Sequence, residues 1–513
     1  MKFNLLKSFC LASVMLSSLI GNAQNLEVVW GDETKPEKST YVGGVLGTDE
    51  NGYYISKYVG GGFFSKGKTV IDRHNMNHEV EFSNEIKTEI NGKAAYVEGT
   101  YMIDDKVYVF QSQKDKKADI NKLYITIIDK TGRATAPKVI DDIDLKKKKG
   151  SGDFSIQLAA DKSKFLVFHA EGYAKKEKEA IAYKMYDLNF VLQWEKALEL
   201  PYDDKKFSLG SYNIDELGNV YLYGTLEVDK KTSKKIVFAY YHKSDRLEEA
   251  TIGFGKAMYI SNLRFNYRDG ALHFMGFYYD TKNTGIQGVC YTKINARTLE
   301  TEFEKNSPIS KKDLLQFTSE KQANKGKGIR RSFYIDDILF TENGDFYLVG
   351  EEYYVIVTTT RSSNGATSTT YTYYYNDIIA VKMTKDAEII WTKKIPKLQV
   401  STNDGGAYSS YIFAWDANNL YFMFNDNPKN TSPKTKPQKR GLYYAKTQKV
   451  NKLVVNLTTV SSSGEINSEM YFKSKENGKT VLKPKYYQRF SNSKILIYAE
   501  RGKTYKFGFL NIK

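Results

Sequence analysis

The feature that most constrains the fold is a short strand pattern that recurs eight times along the chain. Each copy is a polar turn followed by a run of aromatic and β-branched residues, which is typical of a strand entered from a tight turn. The eight runs begin at or next to Gly52, Lys106, Lys164, Asn219, Ala271, Asp345, Asn419 and Lys494. They recur roughly every 55 residues in the first half of the chain and roughly every 75 in the second.

Each run has further strand-like segments around it. The clearest are 377–383 leading to 388–391, and 180–185 leading to 191–194; the segment 332–335 precedes a run. Four strands per repeat are typical of the blades of a β-propeller. The alternative is a stack of β-sandwich domains, which does not explain why one four-strand unit recurs without an obvious linker. We therefore predict an all-β chain that forms a single β-propeller of eight four-stranded blades.

The two ends of the chain indicate how the ring closes. The last repeat stops after 504–512 and lacks a fourth strand, whereas the segment Leu26–Trp30 is a strand without a repeat. Its Glu-Val-Val-Trp matches the fourth-strand segment 388–391, and Trp194 occupies the same place in another repeat. Closure by exchange removes sheet edges that would otherwise pair with other chains. The N-terminal strand is therefore predicted to complete the last blade.

The first residues are typical of a secretory signal peptide. Residues 1–23 combine Lys2 and Lys7, a short apolar run and a small-residue exit. The alternative, an uncleaved membrane anchor, needs about 18–20 apolar residues, more than this run provides. We predict a signal peptide over 1–23 and a propeller over 24–513, with the closing strand within 24–32. No later stretch is long and apolar enough to span a membrane.

Cleavage would leave Cys290 as the only cysteine, because Cys10 lies inside the apolar run. An internal disulfide is then excluded, so an exported chain of this kind must be held together by its core. With 41% hydrophobic residues, the chain has enough apolar side chains to form one.

The wider spacing in the second half is explained by insertions near 306–331, 355–375 and 425–440. Residues 310–317 predict a short capped helix, and 355–375 predict a long hairpin with Asn364-Gly365 at its tip. Residues 425–440 are rich in Pro, Lys and Asn, show no periodicity and are interpreted as a mobile loop. Because insertions on repeat scaffolds often carry binding, this half of the ring is the expected working surface.

The inserted hairpin carries the predicted binding residues. Tyrosine offers a large contact area and a hydroxyl group at low entropic cost. The predicted binding residues are Arg361, Tyr371, Tyr373, Tyr374 and Tyr375. A purely structural hairpin remains an open alternative.

The sequence contains no pattern for a catalytic site, a metal site or a cofactor. The chain has 5 His; on a strand, His74 and His78 would lie about 13 Å apart, too far to share one ion. Gly60-Gly61-Gly62 lacks the lysine and helix of a phosphate-binding loop. Carboxylate pairs such as Asp336-Asp337 leave glycan chemistry open, because propeller glycosidases use carboxylates from several blades. A non-enzyme is favoured, and the question stays open.

The formal net charge of +16 narrows the class of partner. A basic exported protein is expected to meet anionic lipids, polyanionic glycans or an acidic protein surface. The export signal argues against nucleic acid.

The repeat at 218–224, with the Lys/Asp turn and Trp at 382–391, resembles the degenerate repeats of exported bacterial propellers. These include scaffold subunits of outer-membrane assembly and secretion machines. In size, export and basic charge the chain is also similar to the plug subunit of the type IX secretion translocon. The resemblance implies a non-catalytic scaffold or plug, a monomer within a complex, that binds an envelope protein, such as an outer-membrane translocon component. The alternative function is a glycan-binding or carbohydrate-active propeller that uses channel carboxylates.

The resemblance also implies a location. Residues 504–512 are expected to be a blade strand rather than a C-terminal sorting signal. This favours the periplasm or the periplasmic face of the outer membrane over the extracellular space.

Overall fold

The structure is a computed structural model that describes residues 26–513, except 38, 61–66, 147–151, 171–179, 204, 230–232, 256–258, 281–283, 432–441, 448, 450–451, 474–479 and 492. The predicted signal peptide, 1–23, lies outside the described residues.

The described residues form eight sheets of at least four strands, numbered 1 to 8 in chain order, and one small hairpin. The chain begins with β1 (Leu26–Trp30). Sheet 1 contains β2 (Thr40–Asp49), β3 (Gly52–Val59), β4 (Lys68–Asn75) and β5 (Val80–Ile86), and the small hairpin is β6 (Glu89–Ile90) with β7 (Lys93–Ala94). Sheet 2 contains β8 (Tyr96–Ile103), β9 (Lys106–Asp115), β10 (Ile120–Ile128) and β11 (Lys138–Asp144). Sheet 3 contains β12 (Ser155–Leu158), β13 (Lys164–Ala170), β14 (Ala180–Asp187) and β15 (Leu192–Glu199). Sheet 4 contains β16 (Phe207–Ile214), β17 (Val220–Glu227), β18 (Ser233–Tyr241) and β19 (Arg246–Thr251).

The second half of the chain repeats this arrangement with additions. Sheet 5 contains β20 (Tyr259–Arg268), β21 (Ala271–Tyr279), β22 (Gly288–Asn295) and β23 (Thr301–Pro308). Sheet 6 contains β24 (Phe333–Phe340), β25 (Phe346–Arg361), β26 (Thr367–Met383) and β27 (Ile389–Ile395), with β28 (Gln399–Thr402) and β31 (Ala445–Lys446) added. Sheet 7 contains β29 (Ile412–Trp415), β30 (Asn419–Asp426), β32 (Val454–Ser461) and β33 (Ile466–Lys473). Sheet 8 contains β34 (Val481–Leu482), β35 (Gln488–Ser491), β36 (Lys494–Arg501) and β37 (Thr504–Ile512), together with β1.

The prediction of an all-β propeller is confirmed. Each sheet is built around four antiparallel strands, which follow chain order in sheets 1 to 7, and the eight recurring runs of the sequence are their second strands. The first strands of neighbouring sheets lie side by side, as β2 does with β8, β16 with β20, and β35 with β2. These first strands therefore line the centre of the ring.

One hydrophobic core lies between each pair of neighbouring sheets, and the last sheet shares one with the first. In that last core Tyr53 and Ile55 of sheet 1 pack against Leu496, Phe507 and Phe509 of sheet 8. The alternating pattern of each strand supplies one apolar face to each neighbour, so burial is continuous around the ring. The ring is thus closed by packing as well as by hydrogen bonds.

The predicted closing strand completes sheet 8. β1 pairs with β37 from Leu26↔Ile512 to Trp30↔Gly508. A Cβ atom at residue 508 would lie 2.6 Å from the Trp30 ring, so glycine leaves the space that the indole occupies.

The described part of the second half contains three short α-helices: α1 (Lys311–Leu314), α2 (Glu320–Ala323) and α3 (Pro428–Thr431). α1 has the expected cap, because the Ser310 hydroxyl accepts a hydrogen bond from the Asp313 N–H. The first part of 425–440 is regular, with β30 followed by α3, and 432–440 lies outside the described residues. No helix in the described part of the chain is long and apolar enough to cross a membrane.

Candidate functional site

The described parts of the three insertion regions leave the sheets at the same face of the ring. In an antiparallel sheet the connection between the second and third strands lies at the same end as the connection to the next sheet. The region 355–375 joins the second and third strands of sheet 6, and 425–440 does so in sheet 7. The region 306–331 joins sheet 5 to sheet 6. We call this face the insertion face; the opposite face carries tight turns such as 187–192.

The inserted hairpin is the distal half of β25 and β26. Its strands pair without interruption from Tyr353↔Tyr375 to Arg361↔Thr367. The turn closes where the Ser362 N–H donates to the Ala366 carbonyl at 2.9 Å, and Gly365 has a φ of +83°. At 3.3 Å per residue, this ribbon extends roughly 30 Å beyond the sheet.

The hairpin's alternation divides the predicted binding residues between its two faces. Tyr371, Tyr373, Tyr375 and Arg361 share one face, because residues directly opposite each other across an antiparallel pair point to the same side. Tyr374 lies on the other face, where its ring stacks on Tyr354 with centroids 4.7 Å apart. The five predicted residues therefore do not form one contact surface.

Exposure rises along the first of these faces, from the base of the hairpin to its tip. Tyr375 is buried, Tyr373 is half-buried and Tyr371 is exposed. Val357, directly opposite Tyr371, is 54% exposed although it is apolar. Sequence reasoning missed Val357 and its neighbour Ile356, although both are visible as apolar residues directly before a run of threonines. The accessible surface is thus centred on Val357 and Tyr371.

A buried lysine fixes the base of the hairpin. Lys397 is fully buried, and its Nζ donates to Glu351 Oε1 at 2.5 Å, to the Tyr375 carbonyl at 2.9 Å and to Gln399 Oε1 at 3.0 Å. The Ser410 hydroxyl donates to the other Glu351 oxygen at 2.9 Å. All three ammonium donors are used, as a buried charge requires. The base is therefore rigid.

Lys485 makes a second contact at the base. Its Nζ donates to the Tyr375 hydroxyl at 2.5 Å, and burial lowers the pKa of this lysine below its usual value. Tyr375 thus contributes its hydroxyl and its carbonyl to anchoring. In this structure its ring is not available to a partner.

The two edges of the hairpin differ. Along β26, residues 372–375 pair with β28, and Asn403 then closes the edge. The Tyr371 N–H donates to Asn403 Oδ1 at 2.8 Å, and the Asn403 N–H donates to the Tyr371 carbonyl at 2.9 Å. Along β25, pairing with β24 ends at Phe333↔Glu352, and no other described strand continues it. The β25 edge is open from residue 354 to the turn.

The centre of the ring presents a second group of ionisable side chains. Six of the first strands carry a bulge, and the bulge in β24 falls at Asp336. Such a bulge redirects a side chain, and Asp336 and Asp337 are both exposed on this central strand. The Tyr411 hydroxyl donates to Asp336 Oδ2 at 2.7 Å.

Protein atoms surround the Asp336 carboxyl group closely, although the residue as a whole is exposed. This partial loss of hydration, with a smaller contribution from the charge of Glu351, raises the pKa of Asp336 to about 7. The pKa of Asp337 is raised for the same main reason. At neutral pH the pair can therefore hold a proton.

His74, His78 and His273 have hydrogen-bond partners within the fold. His74 Nδ1–H donates to the His78 carbonyl at 3.0 Å, and His78 Nδ1 is hydrogen-bonded to the Tyr53 hydroxyl at 2.9 Å. His273 is buried and bonded to the Tyr291 hydroxyl at 2.9 Å. Within the described ranges, no group of three His, Cys, Asp or Glu side chains is placed to hold a metal ion.

No family model and no curated protein sequence matches this chain. Solved structures similar to it include the WD40 domain of SCAP from fission yeast, with 9% identity, 95% of this chain and 98% of that chain covered, and a TM-score of 0.39. The β-propeller domain of the Trilobed protease from Pyrococcus furiosus is 9% identical; the match covers 84% of this chain and 98% of that chain, with a TM-score of 0.35. The polysaccharide lyase Uly1 is 11% identical; the match covers 81% of this chain and 90% of that chain, with a TM-score of 0.35.

Proposed function

We propose that this chain is a non-catalytic, exported propeller that binds an envelope protein through its insertion face. The observation that carries the proposal is the inserted hairpin, which is anchored by a buried lysine but exposes Val357, Ile356 and Tyr371 at its distal end. Burying exposed apolar side chains is the main source of affinity in protein interfaces. A rigid base lowers the entropic cost of that binding.

The finer part of the proposal concerns place and role. The sequence of residues 1–23 supports export, and the basic net charge of +16 supports an acidic partner surface. We place the protein in the periplasm or at the periplasmic face of the outer membrane, as a scaffold or plug in a secretion or assembly complex. We include in this proposal that the chain is related to the plug subunit of the type IX secretion translocon, which it resembles.

Site-specific photo-crosslinking tests the proposal. A photoreactive amino acid is placed at Val357 of the full chain, and the matched control is Val191, which is 55% exposed but lies in a turn of the opposite face. Irradiation of intact cells is expected to give one envelope-protein adduct from position 357 and none from 191. The same adducts from both positions, or none from position 357 with the protein folded, would count against a role for the hairpin.

A second candidate function is glycan binding or cleavage at the centre of the ring. It is favoured by the exposed pair Asp336 and Asp337, because a carboxyl group with a pKa near 7 can act as a general acid. Envelope polysaccharides are incubated with the protein and with Asp336→Asn, and binding and reducing-end release are measured. Activity that is lost in the variant supports this candidate; no binding by the native protein excludes it for those polysaccharides.

A further inference from the structure

The open edge of the hairpin presents a regular series of backbone hydrogen-bonding groups. The Tyr353 N–H points away from β26, because it donates to the Ser332 carbonyl at 2.9 Å. The Ser362 N–H points the other way, across the hairpin. Because direction alternates along a strand, Val355, Val357, Thr359 and Arg361 present their N–H and C=O groups to the open edge.

The outer edges of the eight sheets carry charge. The fourth strand of each sheet (β1, β5, β11, β15, β19, β23, β27 or β33) contains at least one charged residue. Charged residues on edge strands prevent unwanted pairing with another chain. The hairpin edge from Tyr354 to Thr360 contains no charged residue, and all of its residues are aromatic or β-branched. An edge of this composition is a template for an added strand.

Basic groups lie at both ends of this edge. Arg361 lies at the outer end, and Arg330 and Arg331 precede β24 at the inner end, where Arg330 Nη1 lies 3.4 Å from Glu352 Oε1. Arg330, Arg331 and Arg361 are exposed. If the same edge of a second copy of this chain paired antiparallel with this one, Arg361 of each copy would lie beside Arg330 and Arg331 of the other. That repulsion disfavours self-pairing and favours a strand with carboxylates at its ends.

We propose that an extended segment of an acidic partner protein adds to β25 as a further strand, with uncharged β-branched residues opposite Val355–Thr359 and carboxylates at both ends. This inference rests on the proposed function, for which it specifies how the partner is held. The backbone supplies affinity, and the arginines fix the position of the segment along the edge.

The test uses the full chain and two ten-residue peptides. Each has six alternating Thr and Val residues; the first is flanked by Asp and Glu pairs, and the second by Lys and Arg pairs. Val357→Pro removes one outward N–H but leaves the bonds across the hairpin, which come from the even-numbered residues. Val357→Ala is the matched control, because it loses the side chain and keeps the N–H. Circular dichroism and thermal melting verify that both variants fold.

Fluorescence anisotropy is expected to show that the acidic peptide binds the native chain most tightly and Val357→Ala more weakly, because the exposed side chain is lost. Val357→Pro should bind it at least about tenfold more weakly than Val357→Ala, because the N–H is lost as well. The basic peptide should bind at least about tenfold more weakly than the acidic one, and added salt should reduce this difference. Equal binding to the two variants, equal binding of the two peptides, or no binding of the acidic peptide overturns the inference. Sedimentation that reveals a dimer which Val357→Pro dissociates assigns the edge to a second copy and also overturns it.

The photo-crosslinking experiment separates this inference from the proposed function. If the envelope adduct forms with the native chain and persists when Val357→Pro carries the photoreactive group at Tyr371, the partner binds without strand addition. The proposed function then stands and this inference fails. If no adduct forms from the native chain at all, the proposed function itself fails, whatever the peptides do.

Discussion

Leu26 lies directly opposite Ile512, so the first described residue of the chain is paired with the next-to-last. Leu26 is also buried in the core between sheets 7 and 8, where it packs with Ile412 and Met423. The closing strand therefore holds the ring in two ways: it completes the hydrogen bonding of sheet 8 and fills the core beside it.

Truncating Leu26 is expected to destabilise the whole ring. Leu26 is 1% exposed, so Leu26→Ala should lower the free energy of unfolding by about 2–4 kcal/mol, because it removes buried methyl groups and leaves a cavity. Val29, on the same strand, is 50% exposed, and Val29→Ala should change the free energy of unfolding by no more than about 0.5 kcal/mol. Guanidinium unfolding measures both. Equal small effects would mean that the closing strand contributes little.

The ring itself could be predicted because its signal is local and repeated. Runs such as 219–224 pair a turn with an alternating strand, and each copy supports the others. The closing strand was predictable for the same reason, since Leu26–Trp30 carries the pattern of a fourth strand. Eight copies of a weak strand pattern, repeated along the chain, together specify one architecture.

The site was only partly predictable, because it depends on contacts between distant segments. The hairpin and its tyrosines are visible in the sequence, but the alternation that separates Tyr374 from Tyr371 depends on the register of the pair. Lys397 reads as a surface residue, although it is buried against Glu351. No sequence pattern predicts that Asn403 covers one edge of the hairpin.

Removing the buried ammonium of Lys397 is expected to be costly. Lys397→Met leaves the buried Glu351 carboxylate without its cation, and should lower the free energy of unfolding by about 3–5 kcal/mol. Adding Glu351→Met in the same chain should restore much of the loss, since no uncompensated charge remains. Lys68→Met, which breaks the exposed pair with Glu85, should cost no more than about 1 kcal/mol. Denaturant unfolding distinguishes these outcomes; a Lys397→Met effect as small as that of Lys68→Met would rule out the anchoring role.

Asp336 is expected to make stability depend on pH. Because its pKa is raised to about 7 in the folded protein from an ordinary 3.8, the folded state binds more protons than the unfolded state between these values. Its contribution to stability is therefore full below pH 4, and it decreases as the pH rises to 7. Asp336→Asn removes this decrease, so the stability of the variant relative to the native chain should rise between pH 4 and 7. The slope should be shallow, because Asp336 is an exposed residue and solvent screens its charge.

Asp129→Asn is the control for this pH series, measured by urea unfolding at each pH. A hydrogen bond from the Thr131 hydroxyl is the main reason that the pKa of Asp129 is lowered to about 2. Its stabilisation is present above pH 4 and is lost only as the pH falls towards 2. The difference between Asp129→Asn and the native chain should thus be constant from pH 4 to 7. The same constant difference for Asp336→Asn would show that its pKa is not raised.

Asn403 is expected to protect the covered edge of the hairpin through its side chain and its backbone conformation. Asn403→Gly removes the acceptor of the Tyr371 N–H but tolerates the φ of +54°, whereas Asn403→Ala also introduces a left-handed penalty of about 1 kcal/mol. Both variants should speed hydrogen exchange at the Tyr371 amide by about tenfold, because the amide loses its partner. Only Asn403→Ala should lower the melting temperature further. The Ser362 amide, bonded across the turn, should exchange as before; unchanged exchange at Tyr371 in both variants would contradict the assignment.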